Sequence, residues 1–221
     1  MEWGILVIVI ILLFTSYVIV QETRAQLFWR GLVQQGDLKA IRELLETEIE
    51  TWHRARVPRG TPALLWHGVQ TVELLDVTEH SARVSCNADG EYALVNGRRL
   101  ETSSPLSEGM KITTKLAEML LYDVPNVKLD HFQIDVYTSF RDESGHAEPR
   151  CVLSTLVQRS LVEDFDWEND TATSFVELNN ARFDADRDGA VKVVEPLEWA
   201  EAQAAVQEAS DIVDGSNPGR S

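Results

Sequence analysis

The run from Trp3 to Val20, WGILVIVIILLFTSYVIV, carries no charged side chain, and it constrains this chain more than any other stretch. As a helix it rises about 27 Å, close to the thickness of a bilayer's hydrocarbon core. Thr15, Ser16 and Tyr17 are its polar interruptions. A cleavable signal peptide would have a positive n-region and a small-residue cleavage site, whereas here Met1-Glu2 precedes the run and QETRAQ follows it. Residues 1–21 therefore read as a retained transmembrane anchor whose residues 3–20 cross the bilayer. Basic side chains resist translocation. None precedes the run, while Arg24, Arg30, Lys39 and Arg42 follow it. The expected arrangement is a single-pass cell-membrane protein, N-terminus outside and soluble domain cytoplasmic.

Beyond the anchor, a hydrophobic fraction of 44% with 25% charged residues is enough to build one globular core. The 36 acidic against 20 basic side chains give a formal charge of -16, which repels phosphate backbones and argues against nucleic acid as a partner. Much of that charge lies late in the chain: from Leu161 to Asp214, 15 acidic less 3 basic residues leave a net -12. This divides the chain into a soluble domain over 22–165, an acidic C-terminal segment over 166–213 and a tail, 214–221, whose GSNPGRS composition reads as disordered.

Periodicity gives the elements. Residues Glu22 to Val33 are expected to carry the first helix onward until Gly36 and Asp37 turn the chain. Leu38, Ile41, Leu45, Ile49 and Trp52 then recur at helical spacing, with Lys39, Arg42, Glu43, Glu46 and Glu50 on other faces. Pro58, Gly60 and Pro62 end this amphipathic helix. VQTVELLDV (Val69 to Val77), SARVSC (Ser81 to Cys86) and EYALV (Glu91 to Val95) read as a meander of antiparallel strands, punctuated by Asp89-Gly90 and Asn96-Gly97. A helix over Ser107 to Tyr122 and two strands, Val127 to Phe140 and Arg150 to Val157, follow. The fold expected is α+β, helices packed on an antiparallel sheet.

The opening of the soluble part, a helix, then Gly36-Asp37-Leu38, then a second helix leading into strands, resembles the nuclear-transport-factor-like fold and its mitochondrial-import relatives over about the first third of that part. Near the end, Asp184 to Glu195 resembles the EF-hand loop, with Asp184, Asp186, Asp188, Gly189 and Glu195 at the template's specified positions. That resemblance implies Ca2+ held by Asp184, Asp186, Asp188, Ala190, Lys192 and Glu195, carboxylates around a glycine bend closed by a distal glutamate. Lys192 departs from the usual oxygen donor, and Phe175 stands where a second, upstream loop would need its closing glutamate. The same residues also read as a β-hairpin around the Asp188-Gly189 turn.

Other chemistry finds little footing. Cys86 and Cys151 read as free buried thiols, though spacing does not decide whether they pair. His53, His67, His80, His131 and His146 lack zinc-site spacing. Glu118 and Asp135 resemble the acidic residues of nucleases with a restriction-endonuclease-like core, but RCVLSTLV supplies no Glu-x-Lys, and Asp135 is expected on the solvent face of its strand. GxSxG, Walker and dinucleotide fingerprints do not occur. The sequence thus points to a membrane-tethered interaction or scaffold protein with a protein partner and a calcium loop; the alternative is a membrane-associated, nuclease-like or other hydrolase using Glu118 and Asp135.

Overall fold

The computed structural model describes residues 11–21, 23, 31, 37–125, 127, 129–141, 144–186 and 190–199. Residues 3–10 of the expected anchor, most of 22–33, Arg187-Asp188-Gly189 and everything after Trp199 lie outside these. Residues 11–21 are helical, and the apolar side chains along them, Leu12, Leu13, Phe14 and Ile19 among them, are exposed. Among the described residues no helix is long and apolar enough to cross a membrane.

The soluble part opens with α1 (Leu38–Arg54). Asp37 caps it, its carboxylate accepting from the Lys39 and Ala40 amides at 2.9 and 3.3 Å. Ile41, Leu45, Ile49 and Trp52 are buried and face the core, whereas Leu38, expected in the same stripe, is exposed in the first turn. A short helix, α2 (Ala63–Val69), ends on Val69, where the strand was expected to start; the strand itself, β1 (Glu73–Val77), begins four residues later. Side chains around α2 satisfy the open carbonyls at the end of α1: Trp66 Nε1 donates to Ala55 O at 3.2 Å, and Gln70 Nε2 donates to His53 O and Ala55 O at 3.1 and 2.9 Å.

The next elements are β2 (Ser81–Asn87), β3 (Glu91–Val95), β4 (Arg98–Ser103) and α3 (Pro105–Tyr122). After them come β5 (His131–Arg141), β6 (Ala147–Gln158), α4 (Ala172–Leu178) and β7 (Arg182–Phe183). The main sheet has the order β1-β2-β5-β6-β7. The α+β class holds, but the sheet is mixed rather than antiparallel: β2 and β5 run parallel. The chain leaves β2, passes through α3 and re-enters beside β2 in the same direction, the crossover a parallel pair requires.

The expected three-strand meander is not formed either. β3 leaves the sheet and pairs with β4 in a separate hairpin, closed by Asn96 and Gly97 at φ 51° and 75°. Two consecutive positive φ values define a type I′ turn, which Asn-Gly favours.

Among the described residues, α1, α2, α3 and α4 bury side chains in one core against the sheet. On β5, Phe132, Ile134 and Val136 point into that core, and α3 approaches so closely at Gly109 that an added Cβ would lie 3.1 Å from Val136 Cγ1. At the end of α3, Tyr122, Phe165, Trp167 and Phe175 form edge-to-face and tilted ring pairs with centroids 5.0 to 5.9 Å apart. Phe175 and Val176 are fully buried in the same core, and β7 extends the sheet. The acidic segment after residue 165 therefore contributes to the domain's core through Phe175, Val176 and Phe183.

Candidate functional site

The other face of the sheet carries the polar centre. Because strand side chains alternate, the residues between Phe132, Ile134 and Val136 point away from the helices: Gln133, Asp135 and Tyr137. Parallel register places Arg83 of β2 opposite Gln133, and antiparallel register places Ser154 of β6 opposite Asp135. These side chains converge on one carboxylate. Arg83 Nε donates to Asp135 Oδ2 at 2.8 Å, and Nη2 forms an ion pair with the same oxygen at 2.8 Å. Gln133 Nε2 donates to Oδ1 at 2.9 Å, and Ser154 Oγ donates to Oδ1 at 2.5 Å.

Asp135 was expected in solvent, yet it is fully buried. The cover is a strap of extended chain from Val194 to Glu198, sewn to the sheet by a main-chain bond from Val194 N to Cys151 O at 2.9 Å. Leu197 N donates to Ser154 Oγ at 3.0 Å, and Leu197 O accepts from Gln133 Nε2 at 2.9 Å. Arg182 Nη1 donates to Glu195 O at 3.2 Å. Under this roof, Gln133 Oε1 and Trp199 Nε1 are buried without a hydrogen-bond partner among the described residues.

Electrostatically the centre is self-neutralised: one guanidinium meets one carboxylate, and three side chains occupy the acceptor sites. Burial, and next the Asp135 charge, pushes the Cys151 thiol up to about 12, and the same two causes raise Cys86 further. Neither is a thiolate near neutrality. Both cysteines are free, as expected, and register puts Cys86 beside Val136 on the core side and Cys151 beside Tyr137 on the strap side. The other buried carboxylate, Glu108, accepts from Ser103 Oγ and from Lys111 Nζ at 2.7 Å.

Glu118 and Asp135 are not brought together. Glu118 rides on α3, on the helical side of the sheet, and pairs with Lys115 at 2.7 Å. Asp135 faces the strap.

The Asp184–Glu195 loop has extended, paired flanks. Ala185 bridges Val191 in antiparallel sense, Asp186 N donates to Ala190 O at 2.9 Å, and Lys192 N donates to Asp184 O at 3.1 Å. Lys192 Nζ lies 3.2 Å from Asp184 Oδ2, and Asp186 Oδ1 accepts from Ala190 N at 2.9 Å. Both the Ala190 carbonyl and the Asp184 and Asp186 carboxylates thus have internal partners. This local pairing is of the kind a hairpin makes; Asp188 lies outside the described residues.

Among the described residues, grooves open at two places on the surface. One, about 580 Å³ between α1 and β1, is lined by Glu43, Glu46, Glu50, Glu73 and His53. The other, about 550 Å³, runs between α2 and the β3–β4 hairpin and includes Pro62, Tyr92, Arg99 and Lys111.

The class these features define is an α+β domain with helices on one face of a mixed sheet and a strapped, internally neutralised polar centre on the other. No family model matches the chain, and no curated protein or solved structure matches it either.

Proposed function

We propose that this chain is a membrane-tethered interaction module. Residues 3–20 cross the bilayer, the N-terminus lies outside, and the folded domain meets a protein partner on the cytoplasmic side. One observation carries the reading: among the described residues, the buried carboxylates are consumed by internal partners. Asp135 is closed by Arg83, Gln133, Ser154 and the strap, and Glu108 by Lys111 and Ser103. A reacting carboxylate needs an open approach within hydrogen-bond reach of a substrate. What remains outward is recognition surface, an acidic groove on one side and an apolar, arginine-bearing hairpin on another.

The helical conformation of residues 11–21, with apolar side chains turned outward, supports the tether. The asymmetry of Arg24, Arg30, Lys39 and Arg42 supports the direction. The test is fractionation of cells expressing the full chain or a chain lacking residues 1–21. The full chain should resist alkaline carbonate extraction, the shortened chain should be released, and added protease should cut the domain only after the membrane is opened. Complete carbonate release of the full chain would remove the tether; cleavage of the domain in sealed cells would reverse its direction. Crosslinking in intact membranes should then trap one discrete partner.

A further inference from the structure

We propose that the β3–β4 hairpin dips tip-first into an anionic bilayer surface: Leu94, Val95 and Leu100 enter the acyl boundary, and Arg98 and Arg99 meet headgroup phosphates. This rests on the membrane-tether reading above. The first observation is exposure. Leu94 is 81% exposed, and Tyr92, Val95 and Leu100 are also on the outside. Scattered surface leucines are ordinary, but this group sits on one projecting hairpin that is not part of the main sheet.

The second observation chooses the occupant. Leu94 pairs with Arg99 and Val95 with Arg98, and successive strand residues point to opposite faces. Apolar side chains therefore stand on both faces near the tip. A protein laid against one face leaves the other wet, whereas a bilayer entered end-on surrounds both. Charge follows the same axis. Glu91 and Glu101 lie toward the base of the hairpin, Arg98 and Arg99 toward its tip. Arg99 stacks 4.2 Å over the Tyr92 ring, and the exposed Arg56, Val57 and Arg59 belong to the loop leading to Pro62, which lines one groove with Arg99. In a chain of charge -16 this is a cationic and apolar end, complementary to anionic headgroups.

The geometry also sets a depth. Both strands of an isolated hairpin leave outward backbone groups unpaired, so it stops in the interfacial layer, about 5–10 Å in, and does not cross hydrocarbon. Reach is sufficient. Even as a helix, residues 21–36 reach about 24 Å, and α1 adds about 25 Å, so the tether leaves the domain room to bring the hairpin to the bilayer that holds the anchor.

The experiment uses the full chain in nanodiscs of phosphatidylcholine with or without phosphatidylserine. Val95→Cys carries a polarity-sensitive fluorophore, Cys86 and Cys151 being buried. Emission should move to the blue only with phosphatidylserine, and lipids bearing a nitroxide high on the acyl chain should quench it. Arg98→Ala with Arg99→Ala should lower the docked-to-undocked ratio about 30-fold, and Leu94→Asp should abolish docking. A probe that stays in water in both discs, or a blue shift that ignores phosphatidylserine and both arginines, overturns the proposal. So does shielding of the probe by added membrane protein without any lipid response. Co-elution with the discs reports the tether separately. If the chain fails to incorporate, the tether reading falls, and phosphatidylserine vesicles added to the free chain still decide the hairpin by the same shift.

Discussion

Removing the Arg83 guanidinium should be among the most damaging single changes in the domain. Arg83→Ala leaves Asp135 fully buried, with the Gln133 amide and Ser154 hydroxyl as its remaining donors and no compensating charge. Breaking a buried pair from one side costs about 3–5 kcal/mol. The reverse change is milder because the Arg83 side chain is 23% exposed and can turn to water. Asp135→Ala should cost about 2–3 kcal/mol, the scale of its lost charge-assisted hydrogen bonds. In the double variant no charge is stranded, so the total should stay near that of Asp135→Ala alone. The coupling between the two sites then equals the cost of Arg83→Ala alone, about 3–5 kcal/mol. The assay is urea unfolding of the full chain in detergent, followed by tryptophan fluorescence, since Trp52, Trp66 and Trp167 all pack in or against the core. A cost for Arg83→Ala below about 1 kcal/mol, or additivity in the double variant, would refute the claim that this pair is the structural centre of the strapped face.

Gly68→Ala should destabilise by about 1–3 kcal/mol through overpacking, because an added Cβ would lie 2.2 Å from Ile112 Cδ1 and 3.1 Å from the Asn87 carbonyl; unchanged urea midpoints would show that α3 gives way freely. Burial, aided by His80 and opposed by Asp130, lowers the His131 pKa below its ordinary 6.5. The unfolded chain therefore takes up this proton first, and stability should fall as pH drops from 6.5 through the folded value; His131→Gln should flatten that limb of a stability-against-pH curve. The paired flanks of Asp184–Glu195 and the Lys192–Asp184 contact lead us to expect no calcium heat in millimolar titration calorimetry. A calcium heat lost in Glu195→Gln would restore the EF-hand reading.

Much of the helical skeleton was legible. Asp37 announced a cap, and Ile41, Leu45, Ile49 and Trp52 defined a stripe long enough for its period to show. By contrast α2, with Pro62 before it and only seven residues, is too short for a period, and Val69 and Val72 around its end mimicked a strand. Asn96-Gly97 gave the hairpin turn, but β4, with three charged residues among Arg98–Ser103, offered no apolar alternation to mark it as a strand. The parallel pairing of β2 with β5 was hidden because periodicity carries no strand direction. At the polar centre, Asp135 stood out as a carboxylate in an apolar strand; Arg83, Gln133 and Ser154 were visible only as polar residues at alternate strand positions. Their convergence depends on register, and their burial on Leu197, 64 residues beyond Gln133. Local sequence holds no record of so distant a cover.

The strap also has a place in time. It is synthesised after the strands it roofs, and closing a long loop costs entropy that its few bonds repay late. The β5–β6 hairpin, local in sequence, is suited to form early, with Asp135 and Ser154 meeting while still wet. Strap contacts then belong to the downhill side of the folding barrier, where a change at Leu197 alters the unfolding rate and leaves the folding rate almost untouched. The last segment to settle on the sheet thereby governs how long the finished domain survives between openings.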